Sequence, residues 1–113
     1  MSKLFSVFAV SVLVFTFSAR ASADNVFDKC IDSGRHDLCF AAMSTYQERL
    51  KHARTKSDFC DLAMRYATLQ GYDASLQQST EERTRAIDSI KMLIGQCDEP
   101  VKHLGRRLLH SFQ

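Results

Sequence analysis

Four cysteines, Cys30, Cys39, Cys60 and Cys97, punctuate residues 24–113, and nothing else in the chain narrows its fold as much. A domain of that size buries only about 60–65% of the surface its unfolded form exposes, so its apolar core needs help from cross-links. An even number of cysteines with neither CxxC nor HxxxH spacing reads as two disulfides rather than a metal site. Cysteines committed in this way leave no thiolate nucleophile. No Gly-x-Ser-x-Gly turn offers a serine instead.

Disulfides require an oxidising compartment, and the first residues read as the route to one. Met1 to Lys3 form a short charged start, Leu4 to Phe17 an uninterrupted apolar and small-residue run, and Ser18 to Ala23 end in Ala21-Ser22-Ala23. That three-part layout predicts a cleaved signal peptide over residues 1–23 and a secreted, extracellular product. Ala19-Arg20-Ala21 also fits a cleavage site, which would start the mature chain at Ser22. A spanning helix needs about 18 apolar residues, and Ser18 and Arg20 close this run too early.

Loss of the signal removes Lys3 and Arg20, so Lys plus Arg falls from 15 to the 13 that Asp plus Glu already has. A formally neutral mature chain argues against nucleic-acid binding and against bulk cationic activity. The neutrality is an average. Residues 100–113 carry Lys102, Arg106 and Arg107 with no acid, a basic tail on an acidic body.

Helix signals run the length of the domain and strand signals are missing. Asp24 and Asn25 would cap a short first helix through Ser33, closed by Gly34. A second, about His36 to Arg54, places Cys39, Met43, Tyr46 and Leu50 on one face at steps of four and three. A third, about Asp58 to Gln70, lines up Phe59, Leu62, Ala63, Tyr66 and Leu69 and stops at Gly71. In the fourth, Ser79 and Glu82 form a capping box, Glu81 and Arg85 stand at i,i+4, and Ala86, Ile87, Ile90, Leu93, Ile94 and Cys97 build an apolar stripe ended by Pro100. Gly95 inside it would admit a neighbouring helix. The expected fold is an all-α, disulfide-stapled bundle of about four helices in one domain, a short first helix followed by three antiparallel ones. The tail forms either a short C-terminal helix, with Val101, Leu104, Leu108 and Phe112 on the body, or a processed extension.

Helix geometry selects among the three cysteine pairings. In an antiparallel hairpin of helices two and three, Cys39 and Cys60 sit at opposite ends, separated by about 22 Å of helix at 1.5 Å per residue. A disulfide needs Cα atoms about 4.4–6.8 Å apart. Cys97, at the end of helix four, returns to the level of Cys60, and the turn at Gly34 brings Cys30 beside Cys39. The expected bonds are Cys30–Cys39 and Cys60–Cys97, contributing roughly 3 and roughly 4 kcal/mol by loop entropy.

Two short patterns carry chemistry. His36-Asp37-Leu38-Cys39, with Cys60-Asp61 on a second helix, resembles the secreted phospholipase A2 family. The resemblance implies His36 as the base that activates water, Asp37 as a calcium ligand and Asp61 as the carboxylate orienting the histidine. Residues 24–33 hold no glycine where that family's calcium loop would stand, and Asp37 alone falls short of the six to eight oxygens calcium takes. His52, His103 and His110 are scattered; His103 and His110 share a face only at i,i+7. The second pattern, Gly105-Arg106-Arg107, has the form of a prohormone signal in which paired arginines are cleaved and glycine donates an amide to Leu104.

The reading that asks for nothing the chain lacks is a secreted, non-enzymatic helical effector, toxin-like or hormone-like, acting on an extracellular receptor or channel without cofactor or metal. A carrier of a small apolar ligand and a phospholipase A2-like lipid hydrolase are the alternatives.

Overall fold

The computed structural model describes residues 25–113; the signal peptide expected over residues 1–23 and the cap at Asp24 lie outside them. Five helices make up the described residues, with no strand among them. They are α1 (residues 25–33), α2 (His36–Leu50), α3 (Lys56–Leu76), α4 (Thr80–Gln96) and α5 (Val101–Phe112). The tail is thus a full fifth helix, and the count is five rather than four.

Helix ends are where the chain's chemistry differs most from its periodicity. Gly34 closes α1 in the left-handed region, φ +63°, with its N–H donating to Cys30 O. The second helix does not reach Arg54. After Leu50 the N–H groups of Lys51, His52 and Ala53 donate three residues back, to Glu48, Arg49 and Leu50, a tightened last turn that terminates α2. Thr55 then caps α3 by accepting from the Asp58 N–H at 3.0 Å.

The third helix runs through Gly71 to Leu76. Its end is built by Gln78 at φ 54°, with Ser79 N–H donating to Ala74 O and Gln78 N–H to Ser75 O, the paired bonds of a Schellman turn made without glycine. Ser79 serves twice, since its hydroxyl also accepts from Glu82 N–H to start α4. Only that half of the expected capping box forms. Glu82 reaches sideways to Gln70 and Arg85. Fourth-helix geometry ends at Gln96, before Pro100, which sits at the N-cap of α5. Glu99 accepts from His103 N–H at 2.9 Å to hold that start.

Antiparallel packing of α2, α3 and α4 is visible in its cross-links. His36 at the start of α2 meets Asp73 near the end of α3, and Cys60 near the start of α3 bonds Cys97 just past α4. The other disulfide joins Cys30 to Cys39, with Cα atoms 4.4 Å apart. Two cores result. One gathers Tyr46, Ala42, Leu62 and Leu69 with the Cys30–Cys39 bridge, and the other Met64, Ala67, Ile90 and Leu93 with Cys60–Cys97. Helix α3 supplies both, from different faces.

Glycines mark how α5 docks. A Cβ at Gly105 would fall 2.7 Å from Ile94 Cγ1 and 2.9 Å from Met64 Cε, and one at Gly71 would overlap the Phe112 ring. Gly105 therefore lies tight against side chains of both α3 and α4. The buried stripe of α5 consequently turns to Val101, Gly105, Leu108, Leu109 and Phe112, leaving Leu104 exposed, contrary to expectation. Gly95, expected to admit a neighbour, has nothing within 4 Å.

These contacts give the two helical glycines opposite signs. Gly95→Ala should raise stability by about 1 kcal/mol, because the methyl enters open space and the helix gains propensity. Gly105→Ala should lower it by about 1–3 kcal/mol through overpacking. Gln78→Gly should stabilise by up to about 1 kcal/mol by relieving a left-handed backbone. Urea unfolding of the three variants measures all of this, and an unchanged midpoint for Gly105→Ala would remove the close approach.

Candidate functional site

Both α2 and α4 lie against α3, and no Cα atom of one comes within 8 Å of the other. Two helices leaning on a third without meeting leave a groove whose floor is the third. Here the groove is a solvent-open cleft of about 340 Å³. One wall comes from α2, with His36, Phe40, Met43 and Gln47; Tyr66, Gln70 and Asp73 of α3 form the floor; Ser79 and Glu82 close the far side.

The α1–α2 corner fixes the position of that first wall. The Cys30–Cys39 bond spans a two-residue turn, and Tyr72 Oη donates to Ile31 O at 2.8 Å, tying the end of α1 to α3. His36 and Phe40 are one turn apart on α2, either side of that bridge in sequence, with ring centroids 6.2 Å apart. Phe40 is 62% exposed, the most exposed large apolar side chain among the described residues.

His36 Nδ1 lies 2.9 Å from both carboxylate oxygens of Asp73. A carboxylate only accepts, so Nδ1 carries the proton and donates, which leaves Nε2 as the ring atom available to a ligand. The Asp73 side chain is 9% exposed and that of His36 is 53% exposed. A buried acid thus orients a half-exposed imidazole at the edge of the cleft. On the far side, Gln70 Nε2 donates to Glu82 Oε2 at 3.2 Å, and Arg85 donates to the other Glu82 oxygen. The cleft's two carboxylates are thereby both engaged before any ligand arrives.

The residues singled out by motif fall elsewhere. Asp61, which the phospholipase A2 resemblance would set behind His36, pairs with Arg65 one turn along α3 at 3.4 Å. Asp37 is held by Arg35, with Nη2 to Oδ2 at 2.8 Å. Asp61 thus does not take the place behind His36 that the resemblance implies; Asp73 holds it. Asp73 was legible in principle: Leu62, Tyr66, Leu69 and Asp73 continue one stripe at steps of four, three and four, and an acid on an apolar stripe needs a partner. Among the described residues no cluster of three or more His, Cys, Asp or Glu side chains is arranged to hold a metal ion. Gly105 of the dibasic pattern is buried in the α5 contact, while Arg106 and Arg107 are exposed on the same helix. A second cleft, of about 380 Å³ at the opposite end of α3, lies over the Cys60–Cys97 bridge with Lys56, Asp98 and Glu99 around it.

The pair's worth is measurable. Removing His36 strands a mostly buried carboxylate, so His36→Ala should destabilise by about 1–3 kcal/mol. In a double-mutant cycle with Asp73→Ala, the half-exposed imidazole sets the coupling near the lower end, at about 1 kcal/mol. Strict additivity in urea unfolding would show the contact to be energetically empty.

Compared with protein-family models, curated proteins and solved structures, the chain matches none.

Proposed function

We propose that the chain is a secreted, non-enzymatic helical effector whose α2–α3–α4 cleft binds an extracellular protein target. The observation that carries this reading is Phe40, an aromatic ring 62% exposed on the lip of the cleft beside the fixed His36–Asp73 pair. An exposed aromatic next to oriented polar groups is the composition of a protein-binding patch, where a ring supplies apolar area and neighbouring polar atoms set register. The disulfide at the α1–α2 corner supports it further. A wall held by a covalent bridge loses little freedom on binding.

The two disulfides, and the lack among the described residues of any helix long and apolar enough to cross a membrane, fit a protein released outside the cell. The expected signal over residues 1–23 supplies the route. A carrier of small apolar ligands would favour an enclosed cavity; this cleft is open to solvent, and Gln47, Gln70, Gln77, Ser79 and Glu82 stand among its apolar lining. The hydrolase reading draws on one feature, the histidine oriented by a buried acid, but Asp37 is engaged by Arg35 and supplies no calcium site alone.

Binding of the purified, oxidised protein to an array of extracellular ectodomains tests the proposal. Saturable binding to a particular ectodomain should weaken about a hundredfold in Phe40→Glu, the loss expected for a central aromatic anchor, with the helical circular dichroism unchanged. Two results would redirect it. Tight uptake of a fluorescent fatty acid would make the chain a carrier, and calcium-dependent fatty-acid release abolished by His36→Ala would make it a lipase.

A further inference from the structure

The Phe40 cleft leaves the opposite flank of the molecule unexplained, and there α5 is built from two unlike faces. Its apolar face is spent inside the protein: Gly105 sits against Ile94 and Met64, Phe112 lies over Gly71, and Val101, Leu108 and Leu109 line the second core. The outward face carries Lys102, His103, Arg106, Arg107 and His110, and no acid occurs from Val101 to Gln113. These five form two neighbouring i,i+4 rows, Lys102–Arg106–His110 and His103–Arg107, along about 12 Å of helix.

Like charges at this spacing repel and weaken a free helix, and the protein neutralises little of that repulsion. Arg106 has one ion pair, to Glu99 at 3.6 Å, with both side chains more than half exposed. Lys102 and Arg107 have no ion pair with any described residue. An anionic partner lowers the energy of this arrangement, and its permanent cations include two arginines whose forked donors match tetrahedral oxyanions.

We propose that this face of α5 is a docking strip for a sulfated glycosaminoglycan chain. A linear polyanion follows two short rows on a convex helix, its sulfates meeting Arg106, Arg107 and Lys102 in turn. A bilayer is the poorer occupant. An amphipathic helix that binds lipid buries its apolar face in the membrane, whereas here that face is committed to α3 and α4, and only Leu104, 43% exposed, borders the strip. The choice of a glycan over a nucleic acid rests on the secreted reading above; the anion-binding strip itself does not.

The test uses the full disulfide-bonded chain and a size-defined heparin octasaccharide, titrated calorimetrically across a salt series. Affinity should fall linearly in log–log form with salt, as for any polyanion contact that releases counterions. The double variant Arg106→Gln, Arg107→Gln should weaken binding about tenfold or more at low salt, while Lys29→Gln, Arg49→Gln, an equal change of net charge on α1 and α2, should leave it nearly unchanged. Matching circular dichroism and unfolding midpoints certify both variants. Phe40→Glu should retain the octasaccharide, which separates this strip from the cleft. Equal losses in the two double variants would overturn the proposal, as would tighter binding to phosphatidylserine vesicles that Leu104→Ser abolishes, or tighter binding to duplex DNA. A secreted form ending at Leu104 would overturn it as well, because the strip would have been removed.

Discussion

Burial of α3 from two sides is the constraint on which the rest of this structure depends. A chain this short cannot gather its apolar residues into one deep core. It divides them instead between two small cores on different faces of a 21-residue helix. Leu62 and Leu69 serve the first, Cys60, Met64 and Ala67 the second. Each core then receives one disulfide, so that loss of loop entropy in the unfolded chain supplements burial where burial alone is thin. The groove follows from the same division. With α2 and α4 each satisfied by α3, nothing draws them together, and the space between them stays open.

The fold class was legible because helical periodicity is a local property. Cys39, Tyr46 and Leu50 at steps of seven and four, and Ala86, Ile90 and Leu93 at four and three, announce helices whatever surrounds them. Helix ends were less legible because the residues that mark them have two meanings. Gly71 reads as a C-terminal stop, yet α3 passes through it, and the reason for a glycine there is the Phe112 ring on its surface. The true end lies at Gln78, a residue with no intrinsic preference for the left-handed region. Gly95 and Gly105 exchange the roles their surroundings imply. The glycine near the end of the stronger helix faces open space, and the glycine beside two arginines makes a close interhelical contact. Which meaning applies is decided by a tertiary neighbour that no local pattern contains.

The candidate site was half legible for a related reason. His36 stands out at a helix start, but its partner is 37 residues away and lies beyond the point where the periodic reading of α3 stopped. Asp61, the carboxylate suggested by a short motif, is twelve residues earlier on the same straight helix, about 18 Å from Asp73 by helical rise. Because α2 runs antiparallel to α3, its first residue meets the end of α3 and not the beginning. Topology alone therefore decides which aspartate can reach the histidine. A motif assembled from two fragments carries no information about direction.

Charge is sorted along with shape. On the α2 flank of α3, both carboxylates of the cleft are already engaged, Asp73 by His36 and Glu82 by Gln70 and Arg85, so the cleft presents an aromatic ring and oriented dipoles with little unmatched charge. On the α5 flank the situation reverses: the apolar groups are hidden and the cations are largely unmatched. The two flanks share α3 and α4, since Glu82 of α4 lines the cleft and Ile94 of α4 meets Gly105 of α5, while α2 and α5 stay apart. Coupling between ligands on the two flanks would pass through α4 or through α3, a helix packed on both sides. Such a helix resists displacement, because any shift that improves one core degrades the other. The cleft and the strip proposed for this two-core bundle would take chemically unlike partners, one through apolar fit and one through charge.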